Sequence, residues 1–317
     1  MMNVSSEELV NNDKLVLHRA KFIILISLQI PSIIVSLSIF IFFITCHTRL
    51  NVYQNQAILF LLIVNFFLLS VDLPMPIHFY FLNYVTPATA VFCTWWTFFE
   101  YSLNLTSELL MAVISIQRHI LIFQPSLLNT LFMRFLLYYF PLLLCLIYPI
   151  IFYMAVIIFY PCDGTQWDFK NNLCGYANCY LVYNRILSTF DWGINNGLPI
   201  VVIILANIIL VIRIIKQKHR HRQHISIRKQ RRMALQLISI SSLYLIAWLP
   251  SLLIGLGQQL ISTTFLAQFQ LDHALDLIYL VCLLLPWICI RLLPGYTVWM
   301  RNQWQRMIIV HNRIRPM

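Results

Sequence analysis

Residues Cys93–Pro125 read CTWWTFFEYSLNLTSELLMAVISIQRHILIFQP. The stretch is too apolar for a soluble helix and too polar for a plain membrane anchor. Glu100 and Glu108 stand in its first part, and the basic pair Arg118-His119 lies near its end. An ionisable side chain inside a bilayer costs about 2.5–3.5 kcal/mol on insertion scales, so such residues mark function rather than anchoring. At ~1.5 Å rise per residue, Glu100 and Arg118 stand roughly 27 Å apart, near opposite edges of a hydrocarbon layer. The interval is about five helical turns, so both point the same way. The stretch reads as the central rod of a bundle, acidic at one end and basic at the other.

The remaining chain supplies a bundle for such a rod. Of 317 residues, 60% are hydrophobic and only 10% charged, which excludes disorder and leaves too little charge to cover a soluble surface. Apolar runs long enough to span occur at 22–46, 57–82, 90–117, 135–160, 186–212, 233–261 and 271–293. The fold class is therefore an all-α membrane protein: an N-terminal segment 1–21, a seven-helix domain 22–298, and a tail 299–317. In that tail Trp299, Trp304, Met307 and Ile308 alternate with polar residues, as in a short amphipathic helix on a membrane surface. The first run carries no charge and is too long for a signal-peptide core, so it stays as a span. Pro31, Pro74, Pro149, Pro199, Pro250 and Pro286 fall within runs, where they kink helices.

Charge orients the bundle. The net charge of +11 sits mainly in the loop between the fifth and sixth runs, which includes Arg228, Lys229, Arg231 and Arg232, and in the tail. That pattern follows membrane topology and calls for no nucleic acid. It places this side in the cytoplasm and the N-terminus outside, although Lys14, Arg19 and Lys21 before the first run pull the other way. On this topology none of the 11 acids is cytoplasmic. Cys93, Cys162, Cys174 and Cys179 fall on the outer, oxidising side, where they allow two disulfides in three connectivities. A bridge from Cys93 to the loop after the fourth run is expected, with Cys179 the favoured partner and Cys174 the next. Asn3-Val4-Ser5 is a candidate glycosylation site, whereas Asn104-Leu105-Thr106 lies in a span. No HExxH or similar ligand cluster is present, and no metal or cofactor is expected.

Gln117–Pro125, QRHILIFQP, resembles the inner end of the third helix of rhodopsin-like G-protein-coupled receptors, with Arg118, Ile122 and Pro125 in register. Cys93 matches the family's extracellular cysteine. Ala247–Pro250, AWLP, is similar to the family's sixth-helix motif, Pro199 suits the fifth-helix proline and Pro286 the seventh. The sequence also departs from the pattern. Gln117 replaces the acid before the arginine, His119 replaces the aromatic after it, Leu285 replaces the asparagine before Pro286, and Asn65 stands for the second-helix aspartate. Tyr279 occupies the position of the retinal-binding lysine, so a Schiff base is not expected.

The resemblance implies a plasma-membrane receptor for an extracellular ligand, acting on a heterotrimeric G protein and not an enzyme. Glu100 sits at the level where amine receptors of the family hold a ligand's ammonium, and Tyr279 where a tyrosine steadies that acid. With Asp191, Asp276 and Trp248 they form the expected ligand site, a negative cavity suited to a cationic amine or a basic or amidated peptide. A chemosensory receptor for small molecules is the alternative of the same fold, and a transporter or proton-coupled channel the alternative of another class. Trp248, Pro250, Arg118 and Pro286 are the expected activation switch. Arg118, Ile122, Pro125 and the basic residues 228, 229, 231 and 232 are the expected G-protein surface, with membrane lipids as further partners. An arginine without its neighbouring acid implies appreciable basal signalling.

Overall fold

A computed structural model describes residues 3–46, 53–123, 130–162, 165–176, 178–220, 224–262, 265–293, 295–303 and 305. Pro125 and most of the tail, including Trp304, Met307 and Ile308, lie outside the described residues. So do the side chains of Asn3, Arg228, Lys229, Arg231 and Arg232.

Among the described residues seven long helical segments form the bundle. They are α1 (Asn3–Thr45), α2 (Asn55–Leu82), α3 (Ala90–Phe123), α4 (Leu131–Ile158), α5 (Arg185–Arg213), α6 (His224–Leu260) and α7 (Ala267–Arg291). All but α3 are long and apolar enough to cross a membrane by length and composition. The polar residues of α3 are taken up inside the bundle: Glu100, Asn104, Glu108, Gln117 and Arg118 are all buried. As expected of a central rod, α3 packs against α2, α4, α5 and α6, while α1 closes the ring against α2 and α7.

The bundle has the inside-out polarity of a protein in hydrocarbon. Along α1, Ile23, Ile30, Ile34, Leu37, Ile41 and Ile44 are exposed at helical spacing, whereas Gln29, Ser32 and Ser36 are buried. Two apolar clusters fill the interior. One surrounds Tyr244 and Leu285 toward the Arg118 end, and the other surrounds Tyr80, Trp96 and Tyr153 toward the Cys93 end.

Backbone groups freed by irregular turns find partners, as they must without water. Pro286 has no N–H for the carbonyl of Cys282, and Asn65 of α2 donates to that oxygen at 2.9 Å. Ser32 of α1 donates to the next carbonyl, of Leu283, at 2.7 Å, and itself accepts from Trp287 Nε1 at 3.0 Å. The proline kink of α7 is thus held by α1 and α2. Wide π-helical turns interrupt α2 at Leu68–Asp72, α4 at Phe135–Tyr139 and Met154–Ile158, α5 at Asp191–Gly197 and α7 at Gln270–Ala274.

The helices extend beyond several apolar runs. α1 begins at Asn3 rather than near residue 22, and α6 at His224 rather than near 233. After α7 the chain turns at Gly295, φ 90°, into a helical stretch 296–303. There Tyr296 bonds Ser38 at 2.7 Å and Trp299 packs edge-on against Phe42 of α1.

The disulfides correct the favoured pairing. Cys93 is bridged to Cys174, not Cys179, with Cα atoms 5.9 Å apart, and Cys179 is bridged to Cys162 at 6.1 Å. Three successive left-handed residues, Leu173, Cys174 and Gly175, turn the loop so that Cys174 reaches α3. Cys179 instead opens the short helix Cys179–Tyr183 that leads into α5.

Candidate functional site

A cavity bounded by α3, α4, α5, α6, α7 and the loop before α5 lies toward the disulfide end. Four of the five expected ligand residues line it: Glu100, Asp191, Trp248 and Tyr279. Asp276 does not. It turns toward α1, where Lys21 Nζ approaches its Oδ2 at 2.6 Å and Tyr80 donates to its Oδ1. Lys21 also donates to the carbonyl of Asp272 and stands 5.0 Å from the centre of the Tyr80 ring. The chain thus supplies its own cation to one of its acids.

Asp191 is solvated internally. Its carboxylate accepts from Tyr153 at 3.0 Å, Tyr180 at 2.8 Å and Asn195 at 2.8 Å, and Tyr148 donates to Asn195 at 2.6 Å. The wide turn of α5 makes this cluster. With more residues per turn than an α-helix, it buries Asp191, Trp192, Asn195 and Asn196 together, and Asn196 donates to the Asp191 carbonyl five residues back. Gly255 of α6 permits the neighbouring contact, because a Cβ there would lie 2.4 Å from the Trp192 ring.

Glu100 is left differently. It is buried, and one carboxylate oxygen accepts from Asn104 one turn along at 2.9 Å. Asp72, delivered by the wide turn of α2, lies against the same carboxyl, and Tyr279 approaches it from α7. Among the described residues neither Asp72 nor Glu100 has an ion pair; the pair recorded there joins Lys21 to Asp276. The two carboxyls are hydrogen-bonded to each other, which requires a proton on one of them, so the pair carries at most one negative charge while that bond is made.

The loop forms the lid. Asn172 donates to Tyr80 at 3.1 Å and Leu173 lines the cavity, both buried and tied to α3 by the Cys93–Cys174 bridge. With the lid down the cavity is about 40 Å³, enough for a few waters and well below the roughly 300–1,000 Å³ of sites that enclose a drug-sized ligand.

At the other end, Arg118 is buried at 2% exposure. Gln117 turns away to donate to the carbonyl of Tyr138 at 2.9 Å, in the first wide turn of α4. His119 Nε2 lies 2.7 Å from the carbonyl of Ala206 in α5. The residues flanking Arg118 therefore tie α3 to α4 and α5. Ser107 of α3 bonds Tyr244 of α6 at 2.5 Å, midway between the two ends.

Sequence reasoning missed Lys21, Tyr80, Asn172, Leu173 and Trp192. Lys21 read as a flanking charge, and the loop residues are placed by backbone turns that carry no composition signal. Asn104, set aside as a chance glycosylation motif, is a partner of Glu100.

A family model described as 7 transmembrane receptor (rhodopsin family) matches residues 25–289. No curated protein matches the chain.

Proposed function

The chain belongs to the rhodopsin family of seven-transmembrane receptors, and on that premise we propose that its activating ligand is a cation that docks in the cavity against Glu100, which Asp72 backs from α2. The family is one of receptors that signal through G proteins, not of enzymes, and the protein is a multi-pass membrane protein. One observation carries the ligand class. Asp276 already has Lys21 and Asp191 already has two tyrosines and an amide, whereas the facing carboxyls of Glu100 and Asp72 have no basic partner among the described residues. The small volume of the cavity favours an amine over a peptide.

In this reading the acidic half of the bundle faces outward and the basic loop 213–232 faces the cytosol. The ammonium settles beside Glu100, steadied by Tyr279, and its body presses on Trp192 and Trp248. Pressure on Trp248 favours an outward swing of the far half of α6 about Pro250, with the α7 kink at Pro286 adjusting beside it. The swing uncovers Arg118 and Ile122 to the G protein, and the basic loop 213–232 is the further surface offered to it. Binding drives this only as far as the amine prefers the open state to the closed one.

The test is nucleotide exchange on a G protein by the purified chain, screened with small amines and with uncharged isosteres of each. Activation by amines and silence with the isosteres supports the reading. Activators found only among uncharged compounds would refute it.

A further inference from the structure

The two disulfides stand in different surroundings. Cys93 and Cys174 are wholly buried, at 0% exposure each. Cys162, shortly past the end of α4, is exposed, and its partner Cys179 is buried. Cys162 and Cys179 also line a second cavity, of about 330 Å³, between the start of α3, the end of α4 and the loop before α5. Cys93 and Cys174 line neither that cavity nor the one beside Glu100. Disulfide exchange needs a path for a thiolate to the sulfur, so the Cys162–Cys179 bridge is the one a dissolved thiol reaches. No Asp, Glu, Lys, Arg or His lines the cavity, which suits a small uncharged thiol.

The same bridge joins the two segments that grip Asp191. Tyr153 lies in the last turns of α4 and Tyr180 directly follows Cys179, and both donate to the Asp191 carboxylate, at 3.0 and 2.8 Å. Cys179 also opens the helix Cys179–Tyr183 that leads into α5. Cutting the bridge releases that helix from the end of α4, while Cys93–Cys174 still ties the preceding turn to α3.

We propose that Cys162–Cys179 is a thiol-exchange site for small uncharged thiols, and that its opening loosens the hold of Tyr180 on Asp191. The incoming thiolate attacks Cys162 Sγ and forms a mixed disulfide there. The Cys162–Cys179 bond breaks, its electron pair leaves on Cys179 Sγ, and that sulfur takes up the proton the reagent gave to water. A second thiol then displaces the first as a disulfide and leaves Cys162 reduced as well. Nothing in this assignment depends on the charge of the activating ligand.

2-Mercaptoethanol is the probe, titrated against the full chain in detergent and quenched with iodoacetamide, with each cysteine read by peptide mass spectrometry. Cys162 and Cys179 should open at thiol concentrations about tenfold or more below those that open Cys93 and Cys174, with the mixed disulfide on Cys162. At a concentration that opens this bridge alone, amide hydrogen exchange over residues 179–191 should quicken about tenfold or more, with 93–105 unchanged. Tyr180→Phe keeps the bridge but lacks the hydroxyl, so there the thiol should quicken 185–191 less than in the parent. Both bridges opening together, a mixed disulfide on Cys179, or unchanged exchange over 179–191 with the bridge open overturns the proposal. So does an equal response of 185–191 in Tyr180→Phe and the parent.

Discussion

Lys21 Nζ stands 2.6 Å from Asp276 Oδ2, joining the middle of α1 to α7 across 255 positions of sequence. Both side chains are largely buried, at 14% and 17% exposure, so removing one partner strands a charge. Lys21→Met should destabilise the protein by about 3 kcal/mol, and Lys21→Met with Asp276→Asn should recover most of that loss. Thermal unfolding of the parent and the two variants checks it; a double variant no better than the single one would count against the pairing.

Asn65 and Pro286 form a second testable couple. Asn65→Ala leaves the Cys282 carbonyl buried without its donor, at about 1–3 kcal/mol. Restoring the backbone N–H with Pro286→Ala lets α7 satisfy that carbonyl itself, so Asn65→Ala should cost less in that background. Equal costs in both backgrounds would disconnect the two residues.

Gly255→Ala puts a methyl where the Trp192 ring lies. Overpacking of this kind costs about 1–3 kcal/mol, and Trp192→Phe should relieve part of it. The same substitution should alter ligand-stimulated exchange, since Trp192 lines the cavity. Unchanged stability and unchanged exchange in Gly255→Ala would remove this contact from the account.

Gln117 donates to α4 rather than holding Arg118, which agrees with a family member whose arginine lacks its customary neighbouring acid. Exchange without ligand should exceed that of membranes lacking the protein. Gln117→Glu sets a carboxylate against the Tyr138 carbonyl, so it should lower the thermal midpoint as well as basal exchange. A silent parent, or a Glu variant identical to it in both readings, contradicts this.

The sequence was most legible where helical periodicity does the positioning. Trp248 stands within a motif, Glu100 and Tyr279 sit at fixed offsets from Cys93 and Pro286 on their own helices, and the three meet in one cavity. Asp276 shares a helix with Tyr279 but is turned away by a cation from α1, and no local pattern announces a partner so distant in sequence. The choice between Cys174 and Cys179 rested on left-handed turns at Leu173, Cys174 and Gly175, two of them non-glycine residues that composition does not mark for φ > 0. The wide turn in α5 was hidden for a related reason: Asp191 was legible as a ligand residue, but no local pattern marks Asn195 and Asn196 as its companions, and only the extra residue in the turn gathers the three.

The charge of Glu100 is the point on which the ligand assignment turns. Concentration–response curves for a small activating amine should be recorded on the parent, on Glu100→Gln and on Glu100→Lys. Loss of a charge-assisted contact worth about 1.5–3 kcal/mol predicts potency reduced roughly 10- to 100-fold in Glu100→Gln, and no measurable response in Glu100→Lys with surface expression retained. An amine equally potent on all three contradicts the account.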